Sequence, residues 1–152
     1  MIALLQRVSR GQVIVDGETI GRIGKGLLVL LCAERGDTEK EADMLLNRLI
    51  NYRIFNDSDG KMNLSLDTVK GELLLVPQFT LAANTRSGTR PSFSSAATPD
   101  IGQRLFDYVV TQAKRKVSHV QTGRFGAHME VELINDGPVT IWLHTPPVDT
   151  TA

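Results

Sequence analysis

Few residues in this sequence could attack, move a proton or hold a developing charge. Polar Gln78 and Thr80 interrupt an apolar run at Pro77-Gln78-Phe79-Thr80-Leu81. They stand at the C-terminal end of a predicted strand, where sites in sheet proteins gather. Thr80 has a hydroxyl, but a threonine attacks only when an adjacent base activates it, and none lies beside it in the chain. The same five residues also fit a plain strand end, with Phe79 and Leu81 as its last inward side chains and Thr80 as its cap. Asn135-Asp136-Gly137-Pro138-Val139-Thr140 is a second compact polar segment, and its composition reads as a tight connection between two strands. His119, His128 and His144 are the candidate general bases, and none adjoins a nucleophile in sequence.

What is missing narrows the chemistry further. The chain has one cysteine, Cys32, so an internal disulfide is excluded. That thiol sits in an aliphatic run and reads as inert core packing. With no paired cysteines and no histidine cluster, neither a metal nor a cofactor is expected. There is no Walker-type phosphate loop and no serine nucleophile elbow. Gly21, Gly24 and Gly26 precede a strand instead of a helix, so they read as turn glycines and not as a dinucleotide fingerprint.

The elements that must position these residues follow from periodicity. Residues 2–8 and 12–16 read as strands, and Asp16-Gly17 favours a two-residue type I′ hairpin into the next one. Gly26 to Ala33 is apolar at nearly every position, as in a strand buried on both faces. Thr38 and Glu41 form a capping box ahead of a helix striped by Ala42, Leu45, Leu46 and Leu49. Residues 53–56 and 62–66 are extended around Asp59-Gly60, and residues 71–76 form another central strand, closed by Pro77. A polar loop over 84–98 is long enough to suggest a function. Thr98-Pro99 then opens a second helix, striped by Ile101, Leu105, Tyr108, Val109 and Ala113. Alternating strands over 129–133 and 139–143 end the pattern. The expected fold is α/β: a layered, mixed β-sheet with two main helices on one face.

The chain has 152 residues, which predicts a single domain over 1–145 with a C-terminal tail over 146–152. Its N-terminus has no basic leader and no stretch long and apolar enough to span a bilayer, so the expected place is cytoplasmic, with no membrane partner. Lys and Arg number 17 and Asp and Glu number 17, a neutral total that speaks against nucleic acid. The total conceals a polarised chain. From Asn84 to His128 seven basic residues (Arg86, Arg90, Arg104, Lys114, Arg115, Lys116, Arg124) stand against Asp100 and Asp107. From Met129 onward there are four acids and no Lys or Arg. The first segment suits either a solvated surface or a face turned toward a polyanion.

Taken together, Gln78-Phe79-Thr80-Leu81 and Asn135-Asp136-Gly137-Pro138-Val139-Thr140 resemble the two signature motifs of the D-aminoacyl-tRNA deacylases. Tyr52-Arg53-Ile54-Phe55, Gly60-Lys61-Met62-Asn63, Arg90-Pro91-Ser92-Phe93 and Gln121-Thr122-Gly123-Arg124-Phe125 are similar to that family too, so the resemblance runs from Met1 to about Leu143. It implies a homodimer that uses no metal and hydrolyses the ester between a D-amino acid, or glycine, and the 3′ end of tRNA. The catalytic residues it implies are Gln78, Phe79 and Thr80, lining a pocket for the terminal adenosine and the ester. Gly137 and Pro138 would form a Gly-cis-Pro element that enters the partner subunit's pocket and excludes L-residues.

Such a substrate suits a sparse site, because the ester is already activated and its ribose hydroxyl assists attack. The backbone N–H groups of Phe79 and Thr80 are then the expected oxyanion donors. Thr80 as covalent nucleophile remains the other reading. The family has Ser where this chain has Pro77, and a related animal family acting on an L-aminoacyl-tRNA begins the motif with Pro-Gln. That relative lacks the Phe at the third position and the cis Gly-Pro, both of which match here, so D-specificity is expected. An L-specific editor and a non-catalytic RNA-binding dimer are the competing readings.

Overall fold

The computed structural model describes residues 1–146; the expected tail from residue 147 onward lies outside them. The two apolar runs identified in the sequence are the centre of the molecule. β3 (Gly26–Cys32) and β6 (Glu72–Pro77) pair in parallel, Gly26 against Glu72 and Leu31 against Pro77. Each is buried on both faces because each separates two cores. Leu27, Val29, Leu31, Leu73 and Leu75 pack toward the helices, while Leu28, Leu74 and Val76 point to the other side. Continuous hydrophobicity, where alternation marks a half-exposed strand, is the sequence signature of this position.

On the helix side, α1 (Glu39–Asn51) and α3 (Pro99–Lys116) cover the sheet, with the four-residue α2 (Leu66–Val69) beneath α1. α1 starts as expected, with Thr38 and Glu41 exchanging both bonds of the capping box. Glu41 is held below the usual carboxylate range by the Thr38 hydroxyl and then by its backbone N–H. No helix among the described residues is long and apolar enough to cross a membrane.

On the other side the sheet curls over a second core of Val8, Val13, Val15, Ile23, Leu28, Leu74 and Val76. β1 (Ile2–Val15) makes this possible. Its first half pairs with β3, its second half pairs with β2 (Glu18–Ile23), and β8 (Glu130–His144) runs antiparallel along nearly all of it. β2 thus folds back over β6 and β7 (Val120–Thr122) so tightly that a Cβ at Gly21 would lie 2.7 Å from the carbonyl oxygen of Thr122. Asp16 and Gly17 have φ of 50° and 79°, the left-handed pair that a type I′ turn requires. β4 (Phe55–Asn56) and β5 (Met62–Leu64) form a small separate ribbon.

Two expectations about strands are corrected. Residues 2–8 and 12–15 belong to one strand, because the exposed Ser9 and Arg10 stay extended, with only a register shift against β8 between Val8 and Arg10, and form no turn. Residues 135–138 do not connect two strands either. The chain on both sides of them stays paired to β1, with Gln6 opposite Thr140 and Val8 opposite Asn135. Between those partners β1 spends only Arg7 while β8 spends Asp136 to Val139, so the segment is a wide bulge thrown out from a continuous strand.

Candidate active site

The C-terminal ends of β3 and β6 open onto a cavity of about 640 Å³. Gln78 and Phe79 stand at its edge, and Phe93, Phe106 and Phe125 make much of its wall. Pro77 explains the geometry here. It ends the strand's ladder, Gln78 adds one last bond by donating its N–H to the Leu31 carbonyl at 2.8 Å, and the chain then tightens into a 3-10 turn over Phe79–Ala82. As the first residues of that turn, Phe79 and Thr80 have no acceptor within it for their N–H groups. Two free donors in succession beside a cavity are what an oxyanion needs.

Phe79 is 57% exposed and meets Phe93 edge-to-face, the ring centroids 5.1 Å apart. The Thr80 hydroxyl accepts a short bond from the Gln78 side-chain amide and is exposed at the rim, outside the residues that line the cavity. No histidine shares a hydrogen bond with it among the described residues. His119 pairs with Glu72 at the far end of β6, 3.1 Å away, and His144 contacts Glu34 and stacks on Trp142. Of the three, only His128 lines the cavity. Cys32 lines it too, but burial, and next to it the charge of Glu34, pushes its thiol up to about 11, so it stays protonated at neutral pH.

Gly137 and Pro138 are elsewhere. Their peptide bond is cis, and they top the bulge of β8 opposite Arg7. Arg7 pairs with Leu27, whereas the cavity end of the same strands lies at Ile2, Cys32 and Pro77. Five residue steps at about 3.3 Å and three strand spacings of about 4.8 Å put the bulge on the order of 20 Å from Gln78. Within one chain the two motifs are not brought together.

The bulge is held from both sides. Asn135 clamps it shut, its Oδ1 accepting from the Val139 N–H at 2.7 Å and its Nδ2 donating to the Val139 carbonyl at 3.1 Å. Arg7, only 8% exposed, donates from Nε to the Asp136 carbonyl and from Nη1 to the Ile54 carbonyl, both at 2.8 Å, and reaches Asn56 Oδ1 at 3.2 Å. Gly137 has no room for a side chain: a Cβ would sit 2.7 Å from Val139 Cγ2 and 2.8 Å from the Val139 nitrogen. Arg7 is the positioning residue that site reasoning from sequence missed, while Asn135 stood in the second motif without a role. A single charge inside the apolar run Ile2 to Val8 was the available signal for Arg7.

β8 has nothing paired to its outer edge among the described residues, and it leaves Val131, Ile134 and Trp142 between 37% and 50% exposed. No group of three or more His, Cys, Asp or Glu among the described residues is arranged to hold a metal ion.

Comparison with known proteins gives a consistent picture. The family model described as D-Tyr-tRNA(Tyr) deacylase matches residues 4–144. The chain is 63% identical over 148 residues to a D-aminoacyl-tRNA deacylase of Janthinobacterium sp. (strain Marseille), covering 97% of this chain and 99% of that one. It is 59% identical over 152 residues to a D-aminoacyl-tRNA deacylase of Nitrosococcus oceani, covering 100% and 98%. Among solved structures it is similar to the c-Myc DNA Unwinding Element Binding Protein, with a TM-score of 0.90 and 37% identity over 95% of this chain and 98% of that one. A probable eukaryotic D-amino acid tRNA deacylase shares the fold, with a TM-score of 0.79 at 20% identity over 93% and 97% of the two chains.

Proposed function

The chain belongs to the D-Tyr-tRNA(Tyr) deacylase family, and we propose that it hydrolyses D-aminoacyl-tRNA at the Gln78–Thr80 end of its sheet, in a pocket completed by Gly137 and Pro138 of a second copy. One observation carries this reading. The two free N–H groups and the cavity lie on the order of 20 Å from the braced bulge of the same chain, while the strand bearing that bulge exposes its edge. A second copy, joined through the β8 edges and their apolar side chains, supplies each pocket with the other's bulge in an isologous dimer.

In the reaction, the terminal adenosine enters the cavity and the ester carbonyl oxygen meets the N–H groups of Phe79 and Thr80. Water attacks the carbonyl carbon, assisted by the vicinal ribose hydroxyl, and the charge that forms on oxygen is held by those two donors. Collapse breaks the bond to the ribose oxygen, which takes a proton, releasing the free amino acid and tRNA. No step runs through a metal. The partner's Gly137–Pro138 backbone forms a wall at the amino acid's Cα: carbonyls receive the ammonium, and a substituent on the L side collides. A D-residue fits and so does glycine, which has no side chain to exclude.

Release of the amino acid from D-Tyr-tRNA, L-Tyr-tRNA and glycyl-tRNA tests the reading. D-Tyr-tRNA and glycyl-tRNA are hydrolysed well above the uncatalysed rate and L-Tyr-tRNA is not. Equal rates for the two tyrosyl enantiomers, or none, overturn it. A 2′-deoxy terminal adenosine slows the reaction if the ribose hydroxyl assists.

A further inference from the structure

The chain holds no acidic residue between Glu72 and Asp100, and in the middle of that stretch Arg86 and Arg90 stand on one loop with Ser87, Gly88 and Thr89 between them. Both arginines are exposed, and neither forms an ion pair among the described residues. The loop is nevertheless built. Asn84 and Ser92 close its base with a reciprocal pair of backbone bonds, at 2.7 and 3.1 Å, and Asn84 Oδ1 accepts from the Arg86 N–H at 3.0 Å. Gly88, with φ of +68°, turns its tip.

That base adjoins the cavity wall. One residue beyond Ser92, Phe93 lines the cavity against Phe79, and two residues before Asn84 the 3-10 turn ends at Ala82, whose carbonyl accepts the Ser95 hydroxyl at 2.8 Å. Seven residues closed into a loop extend up to about 10 Å from their base. A nucleoside seated in the cavity carries its 5′ phosphate, and those of the preceding nucleotides, out past this rim. Arginine forks match phosphate oxygens in shape and charge, and flanking hydroxyls add donors.

We propose that Thr85–Pro91 is a phosphate clamp for the single-stranded 3′ end of tRNA, with Arg86 and Arg90 pairing the backbone phosphates just 5′ of the terminal nucleoside. The proposal rests on the deacylase reading above and adds the surface by which this site holds a polyanion. Phosphate contacts position without reading sequence, so the clamp serves different tRNAs alike.

The test compares D-Tyr-tRNA with D-tyrosyl-adenosine, the same ester without phosphates, using the natural chain, R86A/R90A, R86K/R90K and K25A. Lys25 lies at the opposite end of the sheet, beside Glu72, and controls for loss of a positive charge. For R86A/R90A the clamp predicts a rise in KM for D-Tyr-tRNA of roughly tenfold at low salt, with a much smaller change for the nucleoside ester. The slope of log KM against log salt flattens by about 0.7 per lost contact, roughly 1.4 for two. R86K/R90K keeps most of the slope, and K25A behaves as the natural chain on both substrates. An R86A/R90A variant with unchanged KM and slope, or with the same loss on both substrates, overturns the clamp and leaves the deacylase reading standing. A natural chain that hydrolyses neither ester overturns the deacylase reading itself, and the clamp with it.

Discussion

The two ends of the sheet are tied down to very different degrees. At the bulge, Asn135 and Arg7 together make six hydrogen bonds to Val139, Thr140, Asp136, Ile54 and Asn56. At the cavity, Phe79 is more than half exposed, two backbone donors have no acceptor among the described residues, and the Thr80 hydroxyl has only Gln78 as a partner among them. A surface that must reject one enantiomer has to be unable to move, since a wall that yields a few tenths of an ångström no longer discriminates. A surface that must receive a substrate has to leave its donors unspent. Under the proposed function, the difference teaches that selection and chemistry are placed on separate parts of the chain, with rigidity concentrated where selection occurs.

The sharpest way to break this contrast is at Arg7. Replacing it with Met leaves the buried carbonyl of Ile54 without its donor and frees the exposed backbone at Asp136, at a cost of about 1–3 kcal/mol. Urea denaturation should show that loss, and the folded variant should hydrolyse L-Tyr-tRNA measurably. Arg7→Lys, which keeps the charge and loses the fork, is expected to fall between. Full stability and full selectivity in Arg7→Met would mean that Asn135 alone braces the bulge.

Gly137→Ala tests the same end with less damage to the fold. The new methyl meets Val139, including its backbone nitrogen, so the bulge must shift. A change of about tenfold or more in the ratio of D-Tyr-tRNA to L-Tyr-tRNA rates is expected, equivalent to roughly 1.4 kcal/mol of discrimination. An unaltered ratio with an unaltered rate would remove this motif from the site.

How much of this was readable in advance depends on sequence distance. β3, β6 and the start of α1 are explicit because their signals are local: unbroken aliphatics for a strand with two cores, and a capping box four residues long. Gln78 and Phe79 were readable as a strand end for the same reason. The bulge was not. Asn-Asp-Gly-Pro has the composition of a turn, and only its register against β1 shows that the strand continues. Arg7 was hidden because its partners lie 47, 49 and 129 residues away. β7 is three residues long, too short for any periodicity to register.

At the cavity end, Cys32 offers a milder probe. Its Sγ lies 3.5 Å from the Phe79 carbonyl, and its pKa is raised from 9.0 to about 11 by burial first and Glu34 second. At pH 8 alkylation of the folded chain should therefore run about a hundredfold slower than that of the unfolded chain. Because the folded pKa is the higher one, the stability this thiol contributes is fully present below pH 9 and is lost as pH rises from there to about 11. Rapid labelling at pH 8 would show that the cavity end opens far more than the contrast allows.

The smallest effect is expected at Thr80. Its side chain is exposed and outside the cavity lining, and among the described residues it is bonded only to Gln78, with no histidine or carboxylate hydrogen-bonded to it to take its proton. What the proposed reaction uses from this residue is the backbone N–H, which alanine retains. Thr80→Ala should therefore keep kcat on D-Tyr-tRNA within about threefold, well under 1 kcal/mol of barrier. A covalent role would give the opposite result, complete loss of turnover with substrate still bound, because no other hydroxyl stands in the motif. Single-turnover hydrolysis separates these outcomes. A near-normal rate places the chemistry in the fixed backbone and the substrate, and leaves the side chains of this end with little to do beyond shaping the cavity.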